Sequence, residues 1–440
     1  MKYYKLKFFS IFVLFLSFFI VENVFGQNTQ AFDEISYLVR NFGVGIRTLS
    51  MGGAGIGNVK DYSAIYWNPA GLAFAESPEI FGSFSNIVIN NDAIFMNNLT
   101  SGRQSFTKFN SIGFMYPLSV YRGGLTFAFG YNRVMDYNSI LSISGFNNNP
   151  DDNVYQSEDV TEEGGLNNLS FSGAIISARG LSFGATLSYI HGKHLFNTFF
   201  KEFDNLNLYT MDNYTEIRYI ESKFKGFDLK VGMQYVINPY FSIGTVISFP
   251  QVFFIEDEFE VSTKTLYDLD LNKDPESFYD TGFFEYKVST PFAFGFGASF
   301  NSSGFVVSGD VEYRDLSQIR YLTDTPLEGL SRGEANNQIR KMVEPILTKR
   351  IGIELPFFEK SVKLRSGYFE VPNPIKFSMS ENTRKYITAG IGINPDKNIE
   401  LNIAYMRGWW KDSSIDDLIT IPVKEDRIET NFYAGILFKF

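Results

Sequence analysis

The sequence predicts an all-β fold, a transmembrane antiparallel β-barrel of about fourteen strands, on three observations. It carries 47 Phe and 25 Tyr in 440 residues, yet after its first residues no apolar run is long enough for a membrane helix. Apolar residues alternate with small or polar ones along many stretches, the period of a strand with two unlike faces. The connections between these stretches alternate short and long. Aromatics distributed in this way hide a barrel's hydrophobicity from any test for continuous apolar segments.

In chain order, residues 1–26 read as a signal peptide. Lys2, Lys5 and Lys7 form a basic start, Phe8 to Val21 an apolar core, and Val24-Phe25-Gly26 an exit before Gln27. Removing the segment, with its lysines and Glu22, takes the net charge from −10 to −12. Such an acidic chain is a poor match for nucleic acid. With no cysteine anywhere, disulfides, thiolate metal sites and cysteine nucleophiles are excluded.

The barrel is expected over 77–440. Alternation and turn residues place strands near 79–90, 104–117, 122–140, 166–178, 180–197, 215–237, 240–262, 282–300, 303–316, 346–357, 361–371, 384–394, 398–410 and 427–440. In one of them Phe292, Phe294, Phe296, Ala298 and Phe300 share a face opposite Ala293, Gly295, Gly297 and Ser299. An arginine is therefore expected to harm assembly far more at Phe294, facing lipid, than at Gly295. Links after even-numbered strands are short, as at Ala178-Arg179-Gly180 and Asn238-Pro239; the others, 141–165, 263–281, 317–345 and 411–426, are long and polar. Tight periplasmic turns, long outer loops and an even strand number have this pattern in outer-membrane barrels. The chain closes on an alternating strand that ends in Phe440, the form of terminal strand that barrel-assembly machinery recognises.

Residues 27–76 fit no strand. They hold the glycine-rich run 43–57 and the segment Ser63-Ala-Ile-Tyr-Trp-Asn-Pro-Ala-Gly-Leu-Ala73. A phosphate-binding reading of the glycines fails, because no strand precedes them and Lys60 is not followed by Ser or Thr. Arg47-Thr-Leu-Ser-Met-Gly-Gly-Ala-Gly55 and Asp61-Tyr-Ser-Ala-Ile-Tyr-Trp-Asn-Pro-Ala-Gly-Leu72 resemble the FadL/TodX family of outer-membrane transporters for hydrophobic compounds. Later strands, including Lys287-Val-Ser-Thr-Pro-Phe292 and Leu364-Arg-Ser-Gly-Tyr368, are also similar. The resemblance implies a short N-terminal hatch (plug) inside the lumen, with Trp67, Asn68, Pro69, Ala70 and Gly71 in its gating motif. It implies passive uptake of long-chain fatty acids or aromatic hydrocarbons by a monomer in the outer membrane of a Gram-negative-type bacterium. It also implies sideways exit through an opening at the third strand, where Gly130 lies; an ordinary glycine opposite a crowded neighbour is the equal alternative. Adaptor barrels of the PorV type, used in protein secretion, share the hatch signature and form the alternative function.

Asp310, Glu312 and Arg314 share a strand face, as do Arg350 with Glu354 and Lys363 with Arg365. Charges are costly on a lipid face, so these are expected in the lumen, salt-bridged across the wall. Arg314, Arg350 and Arg365 are the candidates for a ligand carboxylate. His191 and His194 are three apart and point to opposite strand faces, so no metal site is expected. Any Ser–His pairing would need one of these two residues, and nothing else supports an enzyme or a cofactor. The acidic stretch 147–165 reads as a solvated tip bridged to lipopolysaccharide by divalent cations, and 317–345 as a lid holding a short helix over the mouth.

Overall fold

The computed structural model describes residues 29–39, 43–121, 123–149, 152–268, 273–414 and 421–440. The signal-peptide reading of residues 1–26 lies outside them, as does Asp151 of the acidic stretch. Among the described residues, eighteen strand segments form one sheet. Eight of them join in pairs into four interrupted strands, so the wall is a closed antiparallel barrel of 14 strands.

These strands are β1 Glu79–Phe95, β2 Asn98–Leu118, β3 Leu125–Asp136 continued by Ser139–Asn147, β4 Val154–Ala178, β5 Leu181–Phe203 and β6 Met211–Val236. Next come β7, Phe241–Ser248 continued by Val252–Tyr267, β8, Glu276–Ser289 continued by Ala293–Ser302, and β9, Phe305–Asp315 continued by Arg320–Tyr321. The wall ends with β10 Pro345–Phe357, β11 Val362–Val371, β12 Arg384–Ile393, β13 Ile399–Ser414 and β14 Val423–Lys439. Pairing of Glu79 with Lys439 through Ile94 with Lys424 closes β1 onto β14 and removes both sheet edges there. Pro250 and Pro291 fall in the interruptions of β7 and β8, where a residue without an amide hydrogen takes nothing from the ladder.

The two wall faces separate as the alternation requires. Phe294 and Phe296 are about half exposed, while Ala293, Gly295 and Gly297 point inward and are buried. The inward site at Gly295 is nevertheless full: a Cβ there would lie 2.6 Å from Val246 Cγ1 and 2.7 Å from Ile56 Cδ1. The expected tolerance of Gly295 is thus corrected, since facing the lumen does not here mean facing open space.

Most of the long connections are shorter than the sequence implies. β1 and β2 meet in a two-residue turn at Met96 and Asn97, both with positive φ, 50° and 63°. The stretch 141–165 is largely strand, with Val154, Gln156, Glu158 and Val160 facing inward, instead of one polar loop. Strands likewise run on to Tyr267 and Ser414 and resume at Glu276 and Val423. Beyond the bilayer a strand's outward face needs no apolar residues, so reading strands by aromatic alternation stops them at the membrane surface. These extensions make a skirt on the distal rim, closed by a second core that includes Ala93, Phe95, Leu141, Ile143, Val160, Phe200 and Val423. The stretch 317–345 holds the helix Arg332–Met342, started by a Ser331–Glu334 capping box.

Phe294→Arg should lower folding stability by about 2–4 kcal/mol, because its arginine must enter the hydrocarbon. Gly295→Arg should also fold poorly, but should be partly rescued by Ile56→Ala, which empties the inward site. Heat-modifiability on gels reads both; rescue of Phe294→Arg by Ile56→Ala would reverse the faces.

Candidate lumenal site

The described residues between 30 and 74 pack against the inward side of the wall and include the short helical turns α1 Gln30–Asp33, α2 Ile46–Ser50, α3 Ala64–Trp67 and a 3-10 turn, Pro69–Phe74. An irregular backbone within a barrel must find partners for its amides and carbonyls in the wall. The wall supplies them around the circumference. Asp310 of β9, buried, accepts from the Gly55 and Ile56 amides at 2.7 and 2.8 Å. Thr388 of β12 accepts from the Gly52 amide at 3.0 Å and donates to the Ser50 carbonyl at 2.9 Å. Thr186 of β5 donates to the Ile65 carbonyl at 3.0 Å, and Ser242 of β7 to that of Gly57 at 2.7 Å.

Asn68 joins segment and wall at the centre of this packing. Its side-chain amide donates to the Ile56 and Met233 carbonyls at 2.8 and 3.1 Å, and its oxygen accepts from the Ala70 amide at 3.2 Å. Pro69 takes the first position of the 3-10 turn, where a missing amide hydrogen leaves nothing unsatisfied. The wall is stripped of side chains at this contact. Any Cβ on Gly184 would press on the Pro69 and Ala70 backbone, and one on Gly232 or Gly244 would reach Asn68. Trp67 donates its ring N–H to the Val44 carbonyl at 2.7 Å, tying two turns of the segment together.

Gly130 faces the lumen in an unbroken ladder between Gly113 and Ser170, and the register shift in its strand comes later, between Arg133 and Met135. The space a side chain would take at Gly130 and Gly113 holds the Tyr62 ring. The Tyr62 hydroxyl donates to Asn132 at 3.0 Å.

The three candidate arginines separate. Arg365 is fully buried and held by Glu354 at 2.6 Å and Glu400 at 3.0 Å, with Arg47 bonded to the same Glu354 at 3.0 and 3.1 Å. That network lies on the proximal side, around a vestibule of about 800 Å³. Arg314 and Arg350 instead line a distal cavity of about 170 Å³. Both bond Glu312, at 3.1 and 3.3 Å. The same cavity is lined by Phe32, Tyr66, Ile346, Trp410 and a parallel stack of Phe369 on Tyr386, 4.4 Å between ring centres. A smaller cavity of about 50 Å³ shares Tyr66, Glu312 and Arg314 with it and continues toward Leu166, Ile190 and Phe253. Among the described residues, no group of three or more His, Asp or Glu is placed to hold a metal. His194 bonds Glu162 at 2.8 Å inside the wall, while His191 packs between Tyr131 and Tyr189.

A model of the family described as BamG matches residues 11–326. The chain belongs to that family. No curated protein sequence matches the chain. Among solved structures, the Pseudomonas putida toluene transporter TodX superposes with a TM-score of 0.62 at 13% identity, over 91% of this chain and 99% of that one. A Pseudomonas aeruginosa FadL homologue gives 0.63 at 12% identity over the same shares, 91% and 99%. The Ralstonia pickettii toluene transporter TbuX gives 0.58 at 13% identity, again over 91% and 99%. This BamG-family chain therefore has the FadL/TodX fold. Of the wall glycines that receive the segment, sequence singles out Gly130 alone, for another role; Gly113, Gly232 and Gly244 and the aromatic part of the cavity lining carry no such signal.

Gly130→Val should displace Tyr62 and slow any passage past the N-terminal segment, with barrel yield retained. Adding Tyr62→Ala should restore the parental rate. A Gly130→Val defect that persists unchanged in the double variant would show that crowding of Tyr62 is not its cause.

Proposed function

We propose that this protein is a passive outer-membrane transporter for hydrophobic compounds, in which residues 27–76 act as a hatch and Trp67 to Gly71 as its gating motif. The observation that carries this reading is the cavity in which Phe32, Phe369, Tyr386 and Trp410 of segment and wall meet Tyr66 of that segment, with charged groups such as Glu312 and Arg314 along its other side. Such a cavity offers an apolar molecule a desolvated stop between the distal mouth and the hatch. Likeness in fold to the toluene transporters TodX and TbuX supports it. The protein works as a monomer inserted by the barrel-assembly machinery, with lipid around its apolar belt and lipopolysaccharide at its acidic rim.

The geometry also favours one ligand class. At about 170 Å³ the cavity suits a single-ring hydrocarbon or a short chain better than an extended fatty acid. Arg314 and Arg350 already share the carboxylate of Glu312, so an incoming carboxylate competes with a resident one. Neutral aromatics face no such competition. An adaptor role in protein secretion is the second reading, favoured by the broad distal skirt, which offers surface for protein contacts.

In liposomes, the protein should admit toluene faster than octanoate. Glu312→Gln removes the resident charge and should shift the ratio toward octanoate by roughly tenfold, the difference between a charged and a neutral hydrogen-bond partner. Ile346→Trp, which fills the cavity, should slow toluene without lowering barrel yield. Unchanged toluene entry in Ile346→Trp would remove the cavity from the path.

A further inference from the structure

Among the described residues, the distal half of β8 has a partner on one side only: Glu276 through Ser289 pair with β7, and on the other side the ladder holds Val288 and Ser289, against Tyr321 and Arg320. The free groups can be assigned by parity. Lys287 receives the Leu322 amide on its carbonyl and donates its own amide to Thr323 Oγ1, both on the side away from β7. The register has no shift, so Ser277, Tyr279, Thr281, Phe283 and Glu285 present their N–H and C=O groups to that same side. Among the described residues, none of these five makes a backbone–backbone bond there; the Thr281 amide is covered by the Asp280 carboxylate at 2.9 Å.

This edge stands above the membrane. The neighbouring outward faces carry Lys225 bonded to Glu256 at 2.8 Å and Lys223 to Glu258 at 3.0 Å, charges that do not sit in hydrocarbon. Yet Phe278, Tyr279 and Phe283 are 60%, 64% and 56% exposed, to water and not to lipid. Soluble sheet edges are usually short, covered or twisted away. Here an edge of unbroken register combines free backbone groups with exposed aromatic rings.

We propose that the edge Ser277–Glu285 is a docking site for an extended, basic segment of a partner polypeptide, which adds as a strand to β8. Backbone pairing supplies register and the aromatic rings supply contact area. Charge decides the sign of the partner: Glu256 and Glu258 are already paired with Lys225 and Lys223, but Asp280 and Glu285 on the edge strand itself, with Glu260 beside it, are exposed against Lys264 and Lys287. Two copies of this chain would bring two acidic edges together, so self-pairing is disfavoured. The site is independent of hydrocarbon passage, and its failure would leave the transport reading untouched.

The test uses the full chain in nanodiscs with two synthetic probes, the peptide Lys-Val-Thr-Val-Lys-Phe-Thr-Val-Lys and its analogue with glutamate in place of lysine. Fluorescence anisotropy should show the basic peptide binding at least about tenfold tighter, the scale of one to two kcal/mol of complementary pairing. Isotope-edited infrared spectra should place the bound peptide in a β-sheet. Tyr279→Pro removes an open-side N–H without touching the β7 ladder, and should abolish binding while the barrel stays heat-modifiable. Asp280→Lys with Glu285→Lys should reverse the preference between the peptides. Equal binding of both peptides, binding indifferent to Tyr279→Pro, or dimers cross-linked through Tyr279→Cys in the chain's cysteine-free background would each overturn the proposal.

Discussion

A closed wall of 14 strands encloses more space than its own inward side chains can fill. Everything else in this structure answers that excess. A second piece of the chain enters the lumen, and the constraint then reverses, because an irregular backbone must lie within hydrogen-bonding distance of the wall. The wall meets that demand by omission. Where Asn68 to Ala70 and Tyr62 lie against it, the inward positions are glycine, and where amides and carbonyls point outward, single polar groups such as Asp310 and Thr388 wait for them.

The same arrangement explains why charge is unevenly placed. On the proximal side Arg47, Arg365, Glu354 and Glu400 form one network across segment and wall. Removing one partner from such a network leaves an uncompensated buried charge, so segment and wall must change together. On the distal side the packing is aromatic and leaves a cavity. Tyr66 belongs to the boundary between the two, with its ring under the Lys230 ammonium at 4.3 Å.

Much of this was legible in the sequence. Alternation such as Phe292 to Phe300 fixes faces because a strand has only two, and the short links at Ala178-Arg179-Gly180 and Asn238-Pro239 fix neighbours. The strand tops were misplaced, since Val154–Gly165 lies beyond the apolar belt and its strand pairing leaves no aromatic signature. Inside the lumen, sequence marked Arg314, Arg350 and Arg365 as equivalent, whereas long-range register separates Arg365 from the cavity. The fit of Tyr62 over Gly113 and Gly130 depends on three distant stretches meeting, and no local pattern encodes it.

The central claim is that residues 31–75 close an otherwise complete barrel. Removing them with the signal peptide retained leaves every wall ladder intact, so the truncated protein should remain heat-modifiable. Single-channel recording in planar bilayers tests the claim most directly. The truncated barrel should conduct small ions steadily while the intact protein stays nearly silent; a folded truncation that conducts no more than its parent would contradict the account.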